Sequence, residues 1–176
     1  MKLILTTKRL ILREMRHEDA PQLFKMDANP NVHKYLWNKP NTSITEIHDY
    51  ITLVRQQYQK HKIGRFVVVL KQTNELIGWA GLKFNTVEVN KKINFFDIGY
   101  RLNENLWGNG YATEAALAWQ KYAFENLHVK TLHAAAHTDN VASNKILQKI
   151  GLIATEKYVE ENVLWNWYEM ENPNNF

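Results

Sequence analysis

Two glycines, Gly108 and Gly110, stand between a stretch that reads as a strand and one that reads as a helix, and this junction constrains the rest of the chain. The strand covers residues 93–102 (Ile-Asn-Phe-Phe-Asp-Ile-Gly-Tyr-Arg-Leu) and the helix residues 111–126. Ala112, Ala115, Ala116, Trp119 and Ala123 recur there at helical spacing, a small-residue face able to lie close to a sheet. The first N–H groups of a helix have no partner within it, and the helix dipole adds about half a positive charge there. Glycines let the backbone approach an anion with no Cβ in the way, so the junction is suited to cradling phosphate. Two nucleotide-binding patterns are excluded. The dinucleotide fingerprint needs a third glycine, which Tyr111-Ala112-Thr113 does not supply, and the chain has no Gly-Lys-Ser/Thr. A Gly-x-Gly alone also serves as a plain strand–helix connection.

The other elements surround this junction. Residues 8–13 read as a strand, and residues 18–27 as a helix with Pro21 tolerated in its first turn. Asn29-Pro30-Asn31 breaks that helix, and Ser43-Ile44-Thr45-Glu46 is a capping box opening another that runs to residue 60. Residues 64–70 and 75–84 are strands joined by a turn at Thr73-Asn74. A strand at 131–137, a helix capped at Asp139-Asn140 and ended by Gly151, and strands at 152–159 and 163–170 complete the chain. The polar tail 171–176 is expected to fray. This order is mixed α/β (α+β): a central sheet of about seven strands with helices on both faces. With 176 residues, no linker and no repeat, the chain is expected to be one domain, residues 1–176.

Composition narrows the function classes. There is no cysteine, which excludes a disulfide scaffold, thiolate metal sites and a cysteine nucleophile, and suits a reducing cytoplasm. No apolar run approaches a membrane span, and no ligand pattern for a metal is present among the histidines. The net charge of +4 is spread along the chain, and no basic run interleaved with aromatics points to nucleic acid.

The string Trp107-Gly108-Asn109-Gly110-Tyr111-Ala112-Thr113-Glu114-Ala115, after a strand ending Gly-Tyr-Arg-Leu, resembles motif A of the GNAT superfamily of acyl-CoA-dependent N-acetyltransferases. The opening Thr7-Lys8-Arg9-Leu10-Ile11-Leu12-Arg13 resembles its RimJ/RimL-like branch, and residues 140–152 resemble motif B. The resemblance spans nearly the whole chain and implies acetyl transfer from acetyl-CoA to a primary amine by direct attack in a ternary complex. It implies that the amides of Trp107, Gly108, Asn109, Gly110, Tyr111, Ala112 and Thr113 hold the CoA pyrophosphate. The Gln or Arg that usually opens the motif is Asn105 here.

The resemblance further implies that two splayed strands, 98–102 and 132–137, hold the pantetheine, with Ile98, Tyr100 and Leu102 in contact and the Tyr100 amide as oxyanion donor. It places Asn140 against CoA and Lys145 against a phosphate. The tyrosine acid that many members carry seven residues after that asparagine is replaced by Leu147, and Ser143 fits the serine that takes this task in the RimJ/RimL-like branch. A glutamate base five residues before the asparagine is replaced by Ala135. Alternation puts His133 and His137 on the face of Ala135, so these two and Asp97 are the candidate bases, beside proton loss to water. Tyr35 and Trp37 stand where the family builds its acceptor wall; Trp79, Trp165 and Trp167 are further aromatics that serve either a pocket or the core. Because both usual acid and base are missing, an acyl-CoA-binding regulatory module without turnover is the alternative, and a nucleic-acid binder a third. The acceptor's identity is left open, as is the oligomeric state, a homodimer included.

Overall fold

The computed structural model describes residues 3–174. Eight strands form one sheet in the order β1-β2-β3-β4-β5-β6-β8-β7. They are β1 (Ile4–Thr6), β2 (Leu10–Glu14), β3 (Arg65–Leu70), β4 (Leu76–Asn85), β5 (Phe95–Leu102), β6 (Thr131–His137), β7 (Ile153–Glu160) and β8 (Val163–Glu171). The helices are α1 (Ala20–Asp27), α2 (Pro30–His33), α3 (Ile44–His61), α4 (Tyr111–Glu125) and α5 (Val141–Lys149). The expectation of about seven strands missed β1, a three-residue strand paired antiparallel to β2 at Ile4↔Arg13, Leu5↔Leu12 and Thr6↔Ile11.

Local chemistry accounts for most boundaries. The capping box at α3 is formed: Ser43 Oγ accepts from the Thr45 amide at 3.1 Å, and Glu46 Oε1 accepts from the Ser43 amide at 2.9 Å. Its buried stripe is Ile47, Ile51, Val54 and Tyr58. β3 is buried at every position, as its β-branched run dictates for a central strand. α4 lays Ala115, Ala116 and Ala123 on the sheet, and Trp119 meets Phe66 of β3 with ring centroids 4.7 Å apart. The tail departs from the frayed expectation at its start. β8 runs to Glu171, and Asn172 is buried, its amide donating to Lys130 O at 2.7 Å and its Nδ2 to Val129 O at 3.0 Å. Residues 175 and 176 of that tail lie outside the described residues.

All strand pairs are antiparallel except β5 and β6. That parallel pair is in register only at Phe96↔Leu132 and Asp97↔His133, after which the two strands part. Alternation then divides β5. Asp97, Gly99 and Arg101 face α1, as the contact between Arg101 and Asp27 shows. Ile98, Tyr100 and Leu102 face the other side, where Tyr100 meets Ser143 of α5.

Candidate active site

The turn entering α4 keeps its side chains to itself, and its amides divide: that of Trp107, expected to hold the pyrophosphate, instead donates to Glu104 O at 3.1 Å, while those at the start of the helix stay open. Gly108 and Gly110 both take left-handed backbone, φ +79° and +78°, which a Cβ would strain. Trp107 Nε1 donates to Leu102 O at 2.8 Å, and Asn109 Nδ2 donates to Leu106 O at 3.1 Å. Gly110 is the N-cap and caps nothing with a side chain, and the first helical bond is from the Glu114 amide to Gly110 O at 3.0 Å. The amides of Tyr111, Ala112 and Thr113 therefore have no intrahelical partner. A Cβ built on Gly108 would meet nothing within 4 Å, so the approach to these amides is open. Arg9 and Glu114 latch the turn to the β1–β2 hairpin. Glu114 accepts from Thr7 Oγ1 at 2.6 Å, the Arg9 amide at 2.8 Å and Arg9 Nε at 2.6 Å, while Arg9 Nη1 donates to Asn109 O at 2.9 Å. Uncapped amides beside a parting pair of strands leave room for an extended ligand with an anionic end.

On the α5 side of the parting strands, Asn140 Oδ1 caps the helix by accepting from the Ser143 amide at 3.1 Å. Tyr100 Oη lies 3.1 Å from Ser143 O and 3.2 Å from Ser143 Oγ, and burial pushes its phenol well above the ordinary range. Leu147 is 2% exposed and packs into the core. Lys145 is exposed. Asn144, to which the sequence assigned no task, is the node of this region. Its Nδ2 donates to His137 O at 2.9 Å and Asn140 O at 2.7 Å, and its Oδ1 accepts from Asn166 Nδ2 at 2.8 Å and Tyr168 Oη at 2.6 Å.

On the opposite face, Arg65 Nη2 pairs with Asp97 Oδ1 at 2.8 Å while Nη1 donates to Gly81 O at 2.5 Å. Gly99 makes room for that guanidinium, since a Cβ there would sit 2.8 Å from Arg65 Nη2. Beside it Arg101 Nη1 donates to the buried Asp27 Oδ1 at 2.7 Å, with His33 Nε2 at 3.4 Å from the same oxygen. Tyr35 and Trp37, after α2, reach across to the far strands. Tyr35 lies 5.4 Å from the ring of His137, and Trp37 lies 5.0 Å from that of Trp165, whose buried Nε1 has no partner among the described residues. Trp37 holds φ +56°, a strained conformation for so large a side chain. Trp167 packs between Phe95, His133 and Tyr158, and Trp79 lies beneath the guanidinium groups of Arg65 and Arg101.

The three candidate bases are thus separated by their surroundings. Asp97 stays 26% exposed at its side chain. His137 Nδ1 accepts from the Asp139 amide at 3.0 Å, so the neutral ring carries its proton on Nε2 and has no lone pair left for an ammonium proton. His133 is only 7% exposed and lies against Phe95 and Trp167, with Nε2 3.6 Å from Glu169 Oε1 and Nδ1 unpartnered among the described residues. Burial first, then the field of Lys92, lowers its pKa, with Glu169 opposing. Sequence alternation put both histidines on one face but carried no signal of these partners. Among the described residues no three metal-ligating side chains cluster, and no helix is long and apolar enough to cross a membrane.

Residues 9–153 match the family model described as an acetyltransferase (GNAT) domain. An uncharacterized N-acetyltransferase, p20, of Bacillus licheniformis is 34% identical over 154 residues, covering 85% of this chain and 84% of that protein. Among solved structures, an acetyltransferase (GNAT family) from Bacillus anthracis superposes with a TM-score of 0.80 at 19% identity, covering 97% of this chain and 99% of the other. RimL, a ribosomal L7/L12 alpha-N-protein acetyltransferase solved in complex with coenzyme A, superposes with a TM-score of 0.79 at 19% identity, covering 98% and 100%. At these identities the two structures speak for the fold.

Proposed function

The chain belongs to the GNAT acetyltransferase family and is an acyl-CoA-dependent N-acetyltransferase, and from that premise we propose that it acetylates a primary amine, on a protein N-terminus or a small molecule, by direct attack in a ternary complex. The observation that carries this reading is the parting of β5 from β6 after Asp97↔His133, next to the uncapped start of α4. The amides of Tyr111, Ala112 and Thr113 take the pyrophosphate. The pantetheine lies between the strands and brings the thioester to the middle of β5, where the Tyr100 amide receives the carbonyl oxygen as charge develops on it. The amine enters from the face of Asp97, Tyr35 and Trp37. Asp97 is the base, directly or through one water: it is the reachable candidate, and Arg65 holds one of its oxygens while the other has no recorded bond among the described residues. Ser143 supplies the hydrogen bond to the departing thiolate. The family supports acetyl-CoA as the donor, and a protein N-terminal amine is the acceptor named for RimL, which shares this fold.

Thiol release from acetyl-CoA against a panel of primary amines and N-terminal peptides tests the reading. Turnover with one acceptor class is expected, with Asp97→Asn lowering kcat by about 10²-fold or more while acetyl-CoA still binds. Failure of any CoA species to bind would refute the site. Binding without turnover across the panel would favour the regulatory module.

A further inference from the structure

α5 offers no phenol to the thioester, because position 147 is a core leucine. A phenol reaches the same turn from β5 instead. Tyr100 Oη touches both oxygens of one residue, Ser143 O at 3.1 Å and Ser143 Oγ at 3.2 Å. These two contacts admit two proton arrangements. A carbonyl only accepts, so the first contact spends the phenol proton, and the second is then made by the serine's own proton donated to Oη. Ser143 has no proton left to donate to a ligand in that arrangement. In the other, Oη–H turns to Oγ, and the serine proton is free to point elsewhere.

The exchange between them is inexpensive. Ser143 O lies in the first turn of α5, where the amide four residues on already serves it, so losing the phenol leaves no bare acceptor. The serine itself is held still: its amide is capped by Asn140 Oδ1, and the next residue, Asn144, is fastened to β6 and β8. Only hydroxyl protons need move. Burial keeps the phenol protonated, so it is a donor at every working pH.

We propose that Tyr100, through its side chain, is the positioning residue for thiolate departure: by donating to Ser143 Oγ it turns the Ser143 hydroxyl proton toward the sulfur of acetyl-CoA. This rests on the assignment of Ser143 made above. As the tetrahedral adduct collapses, the C–S bond breaks and its electron pair stays on sulfur. Ser143 Oγ–H donates a hydrogen bond to that sulfur, and Tyr100 Oη–H donates to Oγ. Both hydroxyls keep their protons, and the thiolate takes one from water as CoA leaves. The two donors in series polarise each other, so the serine is a stronger donor with the phenol behind it.

The test is a double-mutant cycle of Tyr100→Phe, Ser143→Ala and the pair, read as kcat with the best acceptor, acetyl-CoA Kd and melting temperature. Tyr100→Phe keeps the ring and leaves the backbone amide in place, so melting within a few degrees of the parent is expected. Ser143→Ala is expected to lower kcat by ~10²-fold and Tyr100→Phe by ~10-fold. The double variant should be no slower than Ser143→Ala, because the phenol acts only through the serine, and Kd should stay within about twofold. A Tyr100→Phe enzyme at full kcat, or multiplicative losses in the double variant, would overturn the relay while leaving Ser143 in its role. A full-rate Ser143→Ala enzyme would remove the serine assignment and the relay with it. A loss of acetyl-CoA affinity matching the loss of kcat would make Tyr100 a structural residue and also overturn the proposal.

Discussion

Asn144→Ala is expected to cost as much stability as truncating a core leucine. Four hydrogen bonds shorter than 3.0 Å end on that amide, two donated to His137 O and Asn140 O and two accepted from Asn166 and Tyr168. At about 1 kcal/mol net for each, the loss is about 4 kcal/mol. Alanine would leave the Tyr168 hydroxyl and Asn166 amide without their acceptor, so the sum is not softened by compensating apolar burial. For a chain of this length about 1 kcal/mol moves the melting midpoint by 2–4 °C, so a drop of about 8–16 °C follows. Asn144→Asp separates the two halves of the argument. It keeps an acceptor for Asn166 and Tyr168 but sets a carboxylate oxygen against two carbonyls. At pH 8 it should melt no higher than the alanine variant. Thermal denaturation followed by circular dichroism, with a van't Hoff and calorimetric comparison to check two-state behaviour, measures both. An alanine variant melting within about 3 °C of the parent would refute the additive reading of the node.

Gly108→Ala should separate affinity from stability: with nothing within 4 Å of the added Cβ, only backbone strain of ~1 kcal/mol is paid in melting, whereas acetyl-CoA Kd by calorimetry should rise ~10-fold or more because the methyl projects into the open approach. Glu114→Ala removes the acceptor of Thr7 Oγ1, the Arg9 amide and Arg9 Nε, and should weaken acetyl-CoA binding several-fold while lowering the melting point by a few degrees. An unchanged Kd would show that the turn holds its shape without the latch. His33 and His133 both have lowered folded-state pKa values, chiefly through burial. Their neutral forms therefore contribute stability in full above the unfolded value of about 6.5, and that contribution is lost as pH falls below it toward the folded values. His133→Leu should flatten the fall in melting temperature between about pH 7 and 5 and keep kcat within about threefold; a large kcat loss would return His133 to the chemistry.

The parts of the fold that were legible in the sequence are those whose causes are local. Ser43 and Glu46 cap a helix three residues apart, and a β-branched run makes β3 whatever surrounds it. β1 escaped notice because three residues cannot display a period and its pairing partner supplies the only reason for it. Asn172 was read as part of a loose polar tail because its polarity is visible and its partners are not. Lys130 O and Val129 O, some forty residues earlier in the chain, accept from its backbone amide and its Nδ2.

The site divides the same way. The turn that opens α4 was legible because left-handed backbone at Gly108 and Gly110 is a property of glycine itself. The ion pairs Arg65–Asp97 and Arg101–Asp27 join residues 32 and 74 positions apart, beyond any spacing rule. Alternation did carry one signal that was left unused. Tyr100 was read for its amide, yet its parity is opposite to that of Asp97, which sends the phenol toward the helix of Ser143 and the carboxylate toward Arg65 on the other face. The absence of a tyrosine at position 147 was therefore half of an observation. On the mechanism proposed above, a strand that faces a carboxylate to one side and a phenol to the other needs no hydroxyl from the helix beyond a serine, which leaves that helical position to the core, where Leu147 is buried.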